Sequence, residues 1–206
     1  YADQLENLAR YFMNPKLADP SYDADDLIDG YVYNIGFAGG NKGYLQGKTG
    51  SLFGMPYGSE TSVLGYRKDI FEKHGLSVPE TYAEMLDIAC KIPQLEPGMG
   101  GLSSRAASGH HAAHAFLLHL APLGGRIFDD AWNPIVNNEA GVQAANALKQ
   151  IVDCGPEGAA SFGFGEALGS FLNGDTAMFL DTTVVAGQID DASKSKVVGK
   201  VGWAMH

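Results

Sequence analysis

The strongest structural signal in the sequence is the segment of residues 54–81, in which a polar loop, an apolar run and a helix start follow one another. The run Val63–Tyr66 has a loop with Pro and Gly before it and basic residues after it, which is typical of a buried β-strand. Thr81 and Glu84 have the spacing of a capping box, so a helix is predicted to begin there. Since a strand that leads into an amphipathic helix is the unit of an α/β sheet, the predicted fold class is α/β.

The alternation of strands and helices continues to the end of the chain. The predicted elements are a strand around residues 102–104, helices over about residues 110–123 and 165–172, a helix that begins after Asn137 or Asn138, and strands over residues 176–180 and 196–202. Ser108 is predicted to cap the helix that begins at residue 110. The buried face predicted for the helix after Asn138 consists of Val142, Ala145, Leu148, Ile151 and Val152.

Composition limits the partners of the chain. The 206 residues are 45% hydrophobic, which is enough for one large domain or for one lobe and part of another. A net charge of −10 argues against binding to nucleic acid or an anionic membrane, because such partners require an excess of Lys and Arg. No run approaches the roughly 20 apolar residues of a membrane span, and the start YADQLENLAR does not resemble a signal segment. Small neutral molecules and other proteins are the expected partners.

Two residue types leave alternatives open. Cys90 and Cys154 form no metal or redox motif, and two buried free thiols are favoured over a disulfide between them. Trp132 is interpreted as a side chain that packs into the core at a turn, in preference to an aromatic ring on which a sugar stacks.

Polar residues at strand ends are the candidate site residues. Tyr57 and Glu60 precede the first apolar strand, and Arg105 and Asp181 follow later strands. Ligands of open α/β sheets bind beyond the carboxyl ends of strands, which favours Arg105 and Asp181 as ligand-binding residues. A surface ion pair is the alternative for Arg105.

His110 and His114 are four residues apart on one face of a predicted helix, as zinc ligands can be. The residues between them do not form an HEXXH motif, so a His110 that hydrogen-bonds a ligand is favoured over zinc binding. No cofactor and no metal are predicted.

Several segments in order along the chain resemble the extracellular solute-binding proteins of ABC importers, in the sugar- and polyol-binding class of family 1. They are Pro56-Tyr57, Glu60–Leu64, Tyr66–Phe71, Gly75–Thr81 and, most characteristically, Phe171–Met178. The resemblance implies a fold of the periplasmic-binding-protein type II. It also implies that residues 1–58 end a first lobe and approach the hinge, that residues 59–203 form the second, C-terminal lobe and end at the return hinge strand, and that the chain is part of a longer protein.

The same resemblance implies the function and the cleft. It places Glu60, Arg105, His110, Phe164 and Asp181 at cleft-lining positions, with Tyr57 as a further covering ring. The implied protein is a monomer outside the cytoplasmic membrane, periplasmic or anchored to the membrane of a Gram-positive host. It captures a neutral sugar or polyol for permease subunits and is no enzyme. Many relatives have a Trp after the position of Asp181, where this chain has Thr182. The alternatives are the zinc protein and a glycoside-processing enzyme that uses Glu60 and Asp181 as a carboxylate pair.

Overall fold

The computed structural model describes residues 4–39 and 50–205, and the chain divides into two compact units between Ser59 and Glu60. The described part of the first unit contains α1 (Ala9–Met13), a 3₁₀ turn (Ala24–Asp26), α2 (Asp29–Tyr31), a π-helical turn (Val32–Gly36), β1 (Phe37–Gly39) and β2 (Gly50–Leu52). The two strands are antiparallel, with Phe37 opposite Leu52. A hollow of about 310 Å³ within this unit is lined mainly by apolar and aromatic side chains such as Tyr11, Phe12 and Leu17.

A four-stranded sheet forms the centre of the second unit. Its strands are β3 (Ser62–Arg67), β4 (Gly100–Ser103), β5 (Thr176–Thr182) and β6 (Val201–Ala204), in the order β4-β5-β3-β6. β4 runs parallel to β5, whereas β3 runs antiparallel to both β5 and β6. The strands predicted around residues 63–66, 102–104 and 176–180 are confirmed, and the last predicted strand begins at Val201 and not at residue 196.

Helices cover both faces of this sheet. They are α3 (Lys68–Lys73), α4 (Tyr82–Leu95), α5 (His110–Leu120), α6 (Glu139–Asp153), α7 (Phe164–Asn173) and α8 (Ala186–Ile189), with 3₁₀ turns at Ala159–Ser161 and Thr183–Val185. From Met178 to Leu180, side chains of β5 alternate between two core clusters, because successive residues of a strand point to opposite faces. Met178 and Leu180 pack with α3, α4 and α6, and Phe179 packs with α7 and α8. The buried side chains of β5 thus hold the two layers together.

The ends of the helices test the predicted caps. The Thr81–Glu84 capping box is present at the start of α4, and the Asn138 side chain accepts the Gly141 N–H at 3.0 Å. The Ser108 cap is wrong, since α5 begins directly after Gly109, whose φ of 86° favours glycine, and has no side-chain cap.

The predicted buried face of α6 is correct at Ile151 and wrong at Val142 and Ala145, which are exposed. The residues that are buried are Gly141, Ala144, Ala147 and Ile151, whereas Val142 remains 54% exposed. Small residues allow α6 to approach α5 and α4, so the contact face follows residue size as well as hydrophobicity.

Cys90 and Cys154 form a disulfide, so the prediction of free thiols is wrong. Packing of α4 beside α6 brings the two Cα atoms to 4.9 Å, within the range that a disulfide needs. Their separation of 64 residues gives no sign of this contact in the sequence.

Trp132 does not fill the core, contrary to the prediction. Its side chain is 46% exposed in a turn that lies outside both core clusters. The ring packs on Phe128, with centroids 5.2 Å apart. The Asp129 carboxylate holds this turn, since it accepts the N–H groups of Ala131 and Asn133 at 2.9 and 2.8 Å.

Candidate functional site

Three segments of the second unit meet where β4 and β5 end and β3 begins, and this end of the strands is called the sheet edge below. Ser62, at the start of β3, lies opposite Thr182 at the end of β5, because the two strands are antiparallel. β4 runs parallel to β5, so the chain also leaves β4 at this edge. Glu60, Arg105 and Asp181 are therefore brought to the same place although they are far apart in the sequence.

Arg105 and Asp181 form a bidentate ion pair. Arg105 Nε and Nη2 each donate to one Asp181 oxygen at 2.7 Å, and the Thr182 backbone N–H donates to Asp181 Oδ1 at 2.9 Å. Asp181 is fully buried, whereas the Arg105 side chain is 14% exposed. Both carboxylate oxygens thus already accept hydrogen bonds, so Asp181 orients Arg105 and compensates its charge.

Phe164, the first residue of α7, covers the Arg105 guanidinium, with Cζ 4.8 Å from the ring centroid. This contact is a cation–π interaction that restricts the side chain further. The backbone N–H groups of Ala106 and Ala107 both donate to the Phe162 carbonyl, at 2.8 and 2.9 Å. The segment after β4 is therefore fixed to the segment before α7, and the guanidinium occupies a defined position.

Glu60 reaches the same edge from the other side of β5. The Thr182 hydroxyl donates to Glu60 Oε2, and the Thr183 N–H donates to the Thr61 carbonyl at 2.9 Å. Glu60 is exposed, in contrast to Asp181. Thr182 was not among the predicted site residues, although its place directly after Asp181 at the end of the strand was a signal for it.

The first turns of α5 add two imidazoles. His110 is exposed, and its ring centroid lies 6.2 Å from that of His114, which is partly buried. Burial lowers the pKa of His114 below its ordinary value of 6.5, and the positive charge of Arg105 lowers that pKa further. The charges of Asp181 and Glu60 act in the opposite direction. His114 is therefore neutral at pH 7 and offers one hydrogen-bond donor and one acceptor.

The remaining predictions concern Tyr57 and a zinc site. Tyr57 belongs to the first unit and is fully exposed, and its role as a covering ring stays a prediction. Among the described residues, no group of three or more His, Cys, Asp or Glu side chains could hold a metal ion. The zinc hypothesis for His110 and His114 thus finds no third ligand of these types within the described ranges.

The arrangement is suited to a neutral molecule with several hydroxyl groups. Asp181 offsets the charge of Arg105, while the guanidinium keeps N–H groups that Asp181 does not use. Glu60 supplies an exposed acceptor, and neutral His114 can both donate and accept. Hydroxyls can donate to the carboxylate and accept from the guanidinium, and the Phe164 ring offers an apolar surface to C–H groups.

Comparison with known proteins gives consistent matches. The family model of bacterial extracellular solute-binding proteins matches residues 2–206. The mannitol-binding protein of Pseudomonas aeruginosa is 32% identical over 159 residues, which are 75% of this chain and 36% of that protein.

Two solved structures of ABC transporter solute-binding proteins are similar to this chain. The protein from Agrobacterium radiobacter K84, in complex with ribitol, aligns with a TM-score of 0.82 at 27% identity, over 98% of this chain and 48% of that one. The protein from Agrobacterium vitis S4, with bound D-mannitol, aligns with a TM-score of 0.73 at 30% identity, over 98% and 45%. The chain spans less than half the length of each of these three proteins. No helix within the described residues is both long enough and apolar enough to span a membrane.

Proposed function

This chain belongs to the bacterial extracellular solute-binding proteins, and we propose that it forms part of the component of an ABC importer that captures a neutral polyol or sugar. The predicted family and the α/β fold of the periplasmic-binding-protein type are confirmed. The substrate, the permease partner, the monomeric state and the absence of catalysis are proposals. The disulfide supports a location outside the cytoplasm, because disulfides persist in oxidising compartments.

The convergence of Arg105, Glu60 and Phe164 at one sheet edge carries the proposal. A carboxylate, a fixed guanidinium and an aromatic face are the groups that a hydroxyl-rich molecule needs, and the charge of the guanidinium is compensated by Asp181. The names of the mannitol-binding relative and of the ribitol and D-mannitol complexes support polyols in particular.

In the proposed mechanism, two lobes close over the solute and the closed form is recognised by the permease. The residues of the second unit would supply the contacts of one lobe. Each lobe provides part of the contacts, so we expect this chain by itself to bind a polyol more weakly than a dissociation constant of about 1 mM, which corresponds to about 4 kcal/mol.

The test is a titration of the ¹⁵N-labelled chain with D-mannitol and with ribitol, followed by NMR, which detects weak binding. We expect saturable shifts of the Arg105 Nε–H signal. Glu60→Gln should weaken binding about tenfold or more, because a hydrogen bond to a charged group contributes roughly 1.5–3 kcal/mol. Glu139→Gln, which changes an exposed carboxylate in the first turn of α6, is the matched control and should leave affinity unchanged. An Arg105 signal that does not respond to either polyol contradicts the proposal.

The glycosidase alternative is disfavoured by the burial of Asp181. A carboxylate that is fully buried and accepts from Arg105 through both oxygens does not face a substrate or water. Release of nitrophenol from aryl glycosides by the chain, and its loss in Glu60→Gln, would favour the enzyme instead.

A further inference from the structure

A hollow of about 390 Å³ extends along one side of α5 in the second unit. It is lined by His114, Leu117 and Leu118 of α5 and by Ala121 directly after the helix, which share one helical stripe, and Ser62 and Pro122 complete the lining. Ser62 and His114 are the polar members of this lining, and the other four side chains are apolar. Leu117 is 44% exposed.

The polar end of this α5 hollow borders the candidate ligand site. Ser62 pairs with Thr182, whose hydroxyl donates to Glu60. His114 lies near His110 and is close enough to Arg105, Asp181 and Glu60 to feel their charges. The hollow and the site therefore share a boundary formed by Ser62 and His114.

The chemistry of the α5 hollow differs from that of the sheet edge. The edge offers a carboxylate, a guanidinium and an aromatic ring to hydroxyls, whereas the hollow beyond His114 offers Leu, Ala and Pro side chains. Burial of C–H groups against such a surface makes the free energy of binding more favourable. Burial of hydroxyls that find no hydrogen-bond partner there makes it less favourable. A molecule that fits both regions has a hydroxyl-rich end and a less polar end.

We propose that the ligand site continues along α5 into this hollow, and that Leu117 selects polyols or sugars that carry a C–H-rich end, such as a deoxy or O-alkyl group. His114 bonds a hydroxyl at the junction of the two regions. This inference rests on the proposed function, because it assumes that a polyol or sugar occupies the sheet edge. The preference for a C–H-rich end goes beyond the mannitol and ribitol that the relatives are named for.

The test compares D-mannitol with its 1-O-methyl and 1-O-propyl ethers in NMR titrations of the full chain labelled at Arg Nε and at Leu methyl groups. The Arg105 signal reports on the sheet edge, and the Leu117 methyl signals report on the hollow. Because one buried CH₂ contributes about fourfold in affinity, the propyl ether should bind at least about fourfold more tightly than the methyl ether. It should also shift both sets of signals.

Leu117→Asn should abolish the gain in affinity that the propyl ether shows over the methyl ether. Leu95→Asn is the matched control, since Leu95 is 40% exposed at the end of α4 and does not line the hollow. The inference is overturned if the signal of Arg105 shifts, the signals of Leu117 do not, and the propyl group gives no gain in affinity. The proposed function would stand in that case. Shifts at Leu117 without shifts at Arg105 overturn the continuity of the two regions, and no response at either position overturns the proposed function as well.

Discussion

Asp181 lies fully buried, and this burial determines the cost of removing its partner Arg105. Arg105→Met should lower the free energy of unfolding by about 3–5 kcal/mol, because a buried carboxylate would remain without its counter-charge. Combining it with Asp181→Asn should recover most of that loss, since a neutral amide oxygen can still accept the Thr182 N–H. Urea unfolding monitored by circular dichroism measures both effects.

Arg126→Met is the control for this pair. Arg126 bonds Asp130 at 2.7 Å, but its side chain is 59% exposed, and exposed ion pairs contribute only about 0–1 kcal/mol. If Arg105→Met and Arg126→Met lower the free energy of unfolding equally, the buried pair has no special role in stability.

His114 gives the second unit a dependence of stability on pH. Its folded-state pKa lies below the ordinary value of 6.5, so the unfolded chain binds the proton more readily. The stability that neutral His114 contributes is complete above pH 6.5 and is lost as the pH falls from 6.5 through the lower, folded-state pKa. Burial lowers this pKa most, the charges of Arg105 and His110 lower it further, and the charges of Asp181 and Glu60 raise it.

The measurement is the urea midpoint of the wild-type chain and of His114→Gln between pH 8 and pH 5. The wild type should lose stability relative to the variant as the pH falls below 6.5, because glutamine does not titrate. A difference between the two proteins that stays constant over this range would contradict the expected shift in pKa.

At the scale of elements, the Cys90–Cys154 disulfide fixes α6 to α4. In the chain-entropy model, closing a loop of 64 residues stabilises the folded state by up to about 4 kcal/mol. Replacement of both residues by serine, or reduction by a phosphine, should lower the free energy of unfolding by up to that amount. The two treatments should give the same urea midpoint, and a midpoint that reduction leaves unchanged would contradict the stabilising role.

Local signals in the sequence predicted elements well and contacts between elements less well. The Thr81–Glu84 capping box and the Asn138 cap depend on residues three apart, so the sequence alone contains them. The meeting of Arg105 with Asp181 followed from both residues lying at strand ends. The disulfide and the buried face of α6 depend on how helices pack over the sheet, which no local pattern encodes. Trp132 is exposed because neighbouring Asp129 stabilises a turn away from the core.

At the scale of the whole molecule, the chain is two units of unequal character. The second unit has a sheet covered on both faces and contains five of the six residues predicted to bind a ligand. The first unit contains the sixth, Tyr57, and exposes many large apolar side chains among its described residues, including Met13, Leu17 and Ile28. The second unit is therefore the part on which binding and stability measurements will be most informative.

The strand order β4-β5-β3-β6 determines when β3 can pair during synthesis of the chain. β3 leaves the ribosome well before both of its neighbours, β5 and β6, with Ser62 opposite Thr182 and Leu64 opposite Ala204. Translation of the intervening residues takes roughly ten seconds at bacterial rates, and during that time an apolar strand has no partner on either edge. Pulsed hydrogen exchange during refolding should show β3 amides becoming protected together with those of β5, and earlier protection of β3 would mean that it first pairs with something else.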